Sequence, residues 1–238
     1  MRSIIYLYLF LGIWLLVASW VTHASIVLQG TRIVYPNNKR HVLIQATNYS
    51  EQPSLVQSWV DEGDINSTPE TTNAPFIVTP PITKIEANEG TQLRIQFIGN
   101  TLPTDRESIF YLNVRDIAPK PKQNSNANFL QLALQTRIKL FYRPQGLSIK
   151  REQAANSIKF TQSGQQLIIN NPTPYFLTLS GIYLTQKTEE PLVENIMIAP
   201  FSHQQVAYRG SPLANKKILA VYISDTGSHE SCHSTVGG

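Results

Sequence analysis

Apolar positions along this chain come in short runs, most alternating with polar ones, and turn-forming residues interrupt them at close intervals. Ser25 to Tyr35, His41 to Thr47, Leu55 to Asp61, Gln92 to Ile98 and Ser108 to Arg115 each fit a strand. Pro36-Asn37-Asn38, the stretch from Asp61 to Thr72, Asn88-Glu89-Gly90 and the stretch from Gly99 to Asp105 separate them. The second half repeats the style in Leu147 to Ile149, Ser157 to Phe160, Gln166 to Asn170, Phe176 to Leu184, Val193 to Ile198, Gln204 to Tyr208 and Lys217 to Ser224. No long stretch holds a helical period. About seven short strands before Pro144 and about seven after it predict an all-β chain of two sandwiches, joined near Arg143-Pro144-Gln145-Gly146.

One predicted strand stands apart. From Phe129 to Tyr142 the chain runs without Gly or Pro, well beyond the usual strand of about five or six residues. Leu130, Leu132, Leu134 and Ile138 fall on one face; Gln131, Ala133, Gln135, Arg137 and Lys139 fall on the other. On one reading this is a long core strand that leads into the linker. On the other it is an exposed edge carrying a leucine ladder. Such an edge is an aggregation hazard unless the protein uses it to pair with another chain. The pattern alone leaves both open.

Composition narrows the picture. At 238 residues, 42% hydrophobic and 15% charged, the chain can bury substantial cores. The net charge of +4 comes without any basic block interleaved with aromatics, which argues against a nucleic-acid partner. Arg2, the apolar run from Ile4 to Val21 and the following Thr22-His23-Ala24 read as a signal peptide over residues 1–24, with export as the outcome. Cys232 is the single cysteine, so no internal disulfide can staple the exported chain. His229-Glu230-Ser231-Cys232-His233 spells H-E-x-x-H, but its polar surroundings near the C-terminus offer no buried helix to present two metal ligands. A solvated tail is expected there, with no metal and no catalytic residue. No Gly-rich phosphate loop or nucleophile elbow occurs, and no cofactor is expected.

Several segments then fall into a recognisable set. Leu102-Pro103-Thr104-Asp105-Arg106-Glu107-Ser108-Ile109-Phe110-Tyr111-Leu112-Asn113-Val114 resembles the signature of periplasmic pilus-assembly chaperones of the PapD type. Gly30-Thr31-Arg32-Ile33-Val34-Tyr35-Pro36, Gln57-Ser58-Trp59-Val60-Asp61, Thr79-Pro80-Pro81, the run from Gln135 to Pro144 and Asn171-Pro172-Thr173-Pro174-Tyr175 match in family order.

The resemblance implies two immunoglobulin-like β-sandwich domains, residues 25–144 and 145–238, set as a boomerang around a cleft. It implies a non-enzymatic periplasmic chaperone whose partners are pilus subunits and an outer-membrane usher. A subunit's C-terminal carboxylate would bind Arg32 and Lys139, and the donor strand would place Leu130, Leu132 and Leu134 in the subunit's open groove. Burying three leucines contributes roughly 5–8 kcal/mol before ordering costs. An interdomain ionic cluster maps to Glu107, Arg143 and Asp225. The short segment between Ile117 and Phe129 resembles the family's short-loop branch, associated with rod-like pili. The exposed ladder also predicts a self-capping homodimer in the absence of subunit. An exported pilus structural subunit or a carbohydrate-binding sandwich is the alternative; two domains, no disulfide and a shortage of exposed aromatics weigh against both.

Overall fold

The computed structural model describes residues 26–99, 101–117, 119, 132–185 and 190–237. The predicted first strand is two strands. β1 (Ile26–Leu28) pairs antiparallel with β3 (Val42–Asn48), whereas β2 (Arg32–Pro36) runs parallel to β9 (Ala133–Arg143) in another sheet. The switch occurs at Gly30, whose φ of 124° is open to glycine but strained for other residues. This crossing of the chain from one layer to the other shapes the site described below.

Two sheets make up the first half of the described chain. One has the order β1-β3-β7-β5, with β7 (Gly90–Phe97) and β5 (Phe76–Thr79). The other has the order β2-β9-β8-β4-β6, with β8 (Ser108–Ile117), β4 (Ser54–Asp61) and β6 (Ile82–Ile85). Their inner faces bury Tyr35, Ile44, Val56, Leu93, Ile95, Phe110, Leu112 and Leu140. Tyr35 shows why a polar tip is tolerated so deep. Its ring packs edge-on to Phe76, and its hydroxyl donates to the carbonyls of Lys39 and Arg40 at 3.1 and 2.9 Å.

The second half is one seven-stranded sheet curled over its own core, in the order β13-β12-β15-β16-β10-β11-β14. These strands are β13 (Val193–Ile198), β12 (Leu177–Leu184), β15 (Lys217–Ile223), β16 (His229–Gly237), β10 (Lys159–Ser163), β11 (Gln166–Asn171) and β14 (Ser202–Ala207). Leu167, Ile169, Leu179, Ile182 and Ile218 are buried inside it.

Two expectations are corrected here. The C-terminal stretch is not a solvated tail: β16 pairs antiparallel with β15 from His229 to Thr235, then parallel with β10 at Val236 and Gly237. Its inward side chains include Cys232 and Val236, four positions apart, and that is too sparse an apolar signal to overcome the polar composition. The segment from Leu147 to Ile149 is not a strand either. It leads into a single helical turn, α1 (Arg151–Ala154), and a 3-10 turn, Ala155–Ser157, which bury Ala154 and Ala155 against the core. Among the described residues no helix is long and apolar enough to cross a membrane. The signal-peptide run and Ala24 lie outside the described residues.

Candidate functional site

β9 has a half-open edge. On one side it pairs with β8 from Ala133 to Tyr142; on the other, β2 reaches only from Lys139 to Arg143. The backbone from Ala133 to Ile138 therefore has a strand on one side alone. Leu134, Ile138 and Leu140 belong to one alternating row. Ile138 and Leu140 are buried in the core, whereas Leu134 and Leu132 are 60% and 64% exposed. The apolar row thus continues past the end of the sandwich. The predicted Leu130 lies outside the described residues.

At the inner end of this open edge stand two cations. Arg32 and Lys139 are register partners in the β2–β9 pair. Lys139 Nζ lies 3.4 Å from Thr178 Oγ1, and Arg32 Nη1 donates to the Ile223 carbonyl at 3.1 Å, so both residues face the second half of the molecule. Arg32 Nε is buried without a hydrogen-bond partner. Burial lowers the proton affinity of both groups, and Arg32 lowers that of Lys139 further by repulsion. Two partly desolvated cations side by side, each bonded to an uncharged oxygen, are electrostatically arranged to receive an anion.

The halves are joined by an ionic cluster. Arg143 Nε donates to Glu107 at 2.6 Å, and its two terminal nitrogens form a fork onto Asp225 at 2.6 and 3.0 Å. Glu107 is almost wholly buried. Its other oxygen accepts from the Phe176 N–H at 2.8 Å, and its own N–H donates to the Pro174 carbonyl at 2.9 Å. Burial pushes the Glu107 carboxyl up, against the pull of Arg143. Burial also opposes the charge on Asp225, but Arg143 and Arg151 overcome it and hold that carboxyl below its usual range. The three residues expected from the sequence come together, and so does an unexpected fourth. Arg151 Nε donates to Asp225 at 3.2 Å, and both arginines lie over the Tyr175 ring.

Residues 25–148 match the family model "Pili and flagellar-assembly chaperone, PapD N-terminal domain", and residues 153–234 match "Pili assembly chaperone PapD, C-terminal domain". The chain belongs to the PapD family of pilus-assembly chaperones. It is 39% identical to the probable fimbrial chaperone YehC of Escherichia coli, over 85% of this chain and 86% of that one. The crystal structure of the Pseudomonas aeruginosa CupB2 chaperone superposes with a TM-score of 0.76 at 30% identity, covering 89% of this chain and all of that one. The SafB chaperone of Salmonella enterica, solved in complex with the SafA pilin, gives a TM-score of 0.76 at 27% identity, covering 91% and 98%. The two-domain architecture of this chaperone is that of its family, and its arrangement is consistent with a boomerang.

Behind the open edge lies a second network that sequence reasoning missed. On the outer face of the five-stranded sheet, Arg137 makes two bonds to the buried Asp61 at 2.8 and 2.5 Å and stacks on Tyr111, with its guanidinium carbon 3.6 Å from the ring centre. Asn113 donates to the same carboxylate at 2.6 Å and accepts from Gln135 at 2.9 Å. These residues tie the exposed start of β9 to its neighbours. Their sequence signal is only an outward row of polar residues on predicted strands. The H-E-x-x-H residues meanwhile lie along β16, where His229 and His233 stand about 13 Å apart at strand rise, too far to share an ion.

Proposed function

We infer that this chaperone acts in the periplasm, where it holds pilus subunits by lending them the start of β9 as a missing strand. The observation that carries this reading is the open edge of β9 ending at the Arg32–Lys139 pair. A subunit strand laid there would continue the line of β2, run parallel to β9, and end with its C-terminal carboxylate between the two cations. Backbone hydrogen bonds would form along the edge while Leu130, Leu132 and Leu134 fill the subunit's groove. SafB, solved with a pilin bound, supplies a precedent from a similar chain.

The finer assignments follow from the same reading. Residues 1–24 serve as a cleaved export signal, residues 25–144 form the strand-lending domain, and residues 145–238 complete the cleft. The loaded chaperone delivers its subunit to an outer-membrane usher, and the unloaded one caps its own ladder as a homodimer. The short stretch of sequence after Ile117 supports its membership of the short-loop branch. Its work is binding, with Glu107, Arg143 and Asp225 holding the cleft open at a set angle.

Co-expression with the pilin subunits of its own gene cluster tests the proposal. The wild-type chaperone is expected to co-purify a subunit from periplasm, whereas Arg32→Ala, Lys139→Ala and Leu132→Glu, each folded by circular dichroism, are expected not to. A folded wild type that captures no subunit would overturn the reading.

A further inference from the structure

Arg32 is rooted in the first domain but reaches across to the second. Its bond to the Ile223 carbonyl fixes one terminal nitrogen at the last residue of β15, while the buried Nε–H stays unpartnered, the only such side-chain atom among the described residues. A guanidinium held by one terminal nitrogen, with its Nε–H buried and unpartnered, is fixed in direction rather than free.

The carbonyl that aims it leads directly into the turn at residues 224–228. The Ser224 N–H donates to the Ser228 carbonyl at 2.9 Å, and the Gly227 N–H donates to the Ser224 carbonyl at 3.0 Å. Gly227 adopts a φ of +88°, and a Cβ there would stand 2.6 Å from Oγ1 of Thr31, the residue preceding Arg32. The turn therefore touches Arg32 and its chain neighbour together.

The far side of the turn is tied down. Asp225 receives Arg143 on both oxygens and Arg151 on one of them. Arg151 and Asp225 both belong to the second domain, so their bond does not itself join the domains; it holds the turn. Asp225 is also the carboxylate whose field reaches Arg32. Its hydrogen bonds go to Arg143 and Arg151, so its attraction for Arg32 acts through space.

We propose that the turn at residues 224–228 is a positioning element that completes the carboxylate anchor from the second domain, with Arg151 as the residue that holds it in place. This rests on the reading of Arg32 and Lys139 as that anchor. The interdomain contact thus sets the strength of the anchor as well as the shape of the molecule.

The test uses the mature full-length chaperone and a synthetic peptide copying the last strand of a pilin from the same gene cluster, made as free acid and as C-terminal amide. Calorimetric titration is expected to favour the acid by about tenfold, the worth of a charge-assisted contact. Arg32→Ala should abolish that preference. Arg151→Gln should cut it severalfold while changing amide binding much less, at a modest cost in melting temperature, and Arg151→Lys should restore most of it. Gly227→Ala, which drives a methyl group against Thr31, should also cut it, and this variant decides the matter if Arg151→Gln lowers the melting temperature further. The inference is overturned if Arg32→Ala loses the preference but the variants at 151 and 227 keep the wild-type ratio. No acid preference in the wild type would overturn the anchor itself along with this inference.

Discussion

Leu134 and Leu140 occupy the same alternating row of β9, yet the first is 60% exposed and the second wholly buried. A leucine this exposed contributes little to the chaperone's own folding. Leu134→Glu should therefore leave the free energy of urea unfolding within about 0.5 kcal/mol of wild type while subunit capture is lost; an unfolded variant would show that Leu134 serves the core instead. Asp61 is the opposite case. Burial alone would raise its carboxyl, but bonds from Arg137, Asn113 and the Gly63 N–H bring it below the usual carboxylate range. Asp61→Ala strands the Arg137 guanidinium and the Asn113 amide, and should cost about 2–4 kcal/mol in urea unfolding. A depressed carboxyl adds stability that is present above its unfolded value of about 4 and is lost as pH falls through the folded value. The wild-type protein should thus lose this contribution only below about pH 4, and Asp61→Asn should flatten that part of the acid-unfolding curve.

Strands were legible where alternation was long and dense. β3, β4, β7, β8 and most of β9 lie within a residue or two of their sequence-predicted bounds because each buries at least two apolar side chains on one face. β5 and β6 were missed, being four residues each and separated by Pro80 and Pro81, which read as a plain break. β16 was missed because its own composition is polar, and it is held by a hairpin with β15 and a parallel pairing with the distant β10. The cluster of Glu107, Arg143 and Asp225 was legible only through family resemblance, since each residue alone reads as a surface charge. Arg151 carried no signal at all. β16 makes a prediction of its own. It bridges the two halves of the curled sheet, so a chain ending after Ser228 should leave the second domain open. Limited proteolysis should then cleave it between residues 150 and 228 while the first domain resists; wild-type resistance throughout would return this stretch to the status of a tail.

At the scale of the whole molecule, the two cores are separate and the contacts between them are few and directional. Arg143, Glu107 and Asp225 span the joint, the Phe141 and Phe176 rings meet across it at 5.9 Å, and Arg106 lies over the Phe201 ring at 4.9 Å. A buried ion pair of this kind gives little net stability over an apolar replacement, but losing one partner is costly because the other charge stays buried. Two substitutions therefore separate geometry from charge. Arg143→Ala abandons Glu107 in the interior and frees Asp225, and should cost about 3–5 kcal/mol with a broadened interdomain angle in small-angle scattering. Glu107→Gln keeps one acceptor oxygen, for Arg143 or for the Phe176 N–H but not for both, and it removes the buried charge whose carboxyl burial pushes upward. It should lose far less stability and keep the wild-type scattering profile. If both variants scatter like wild type, the angle is set by the aromatic contacts alone, and the ionic cluster then serves only the proposed anchor beside it.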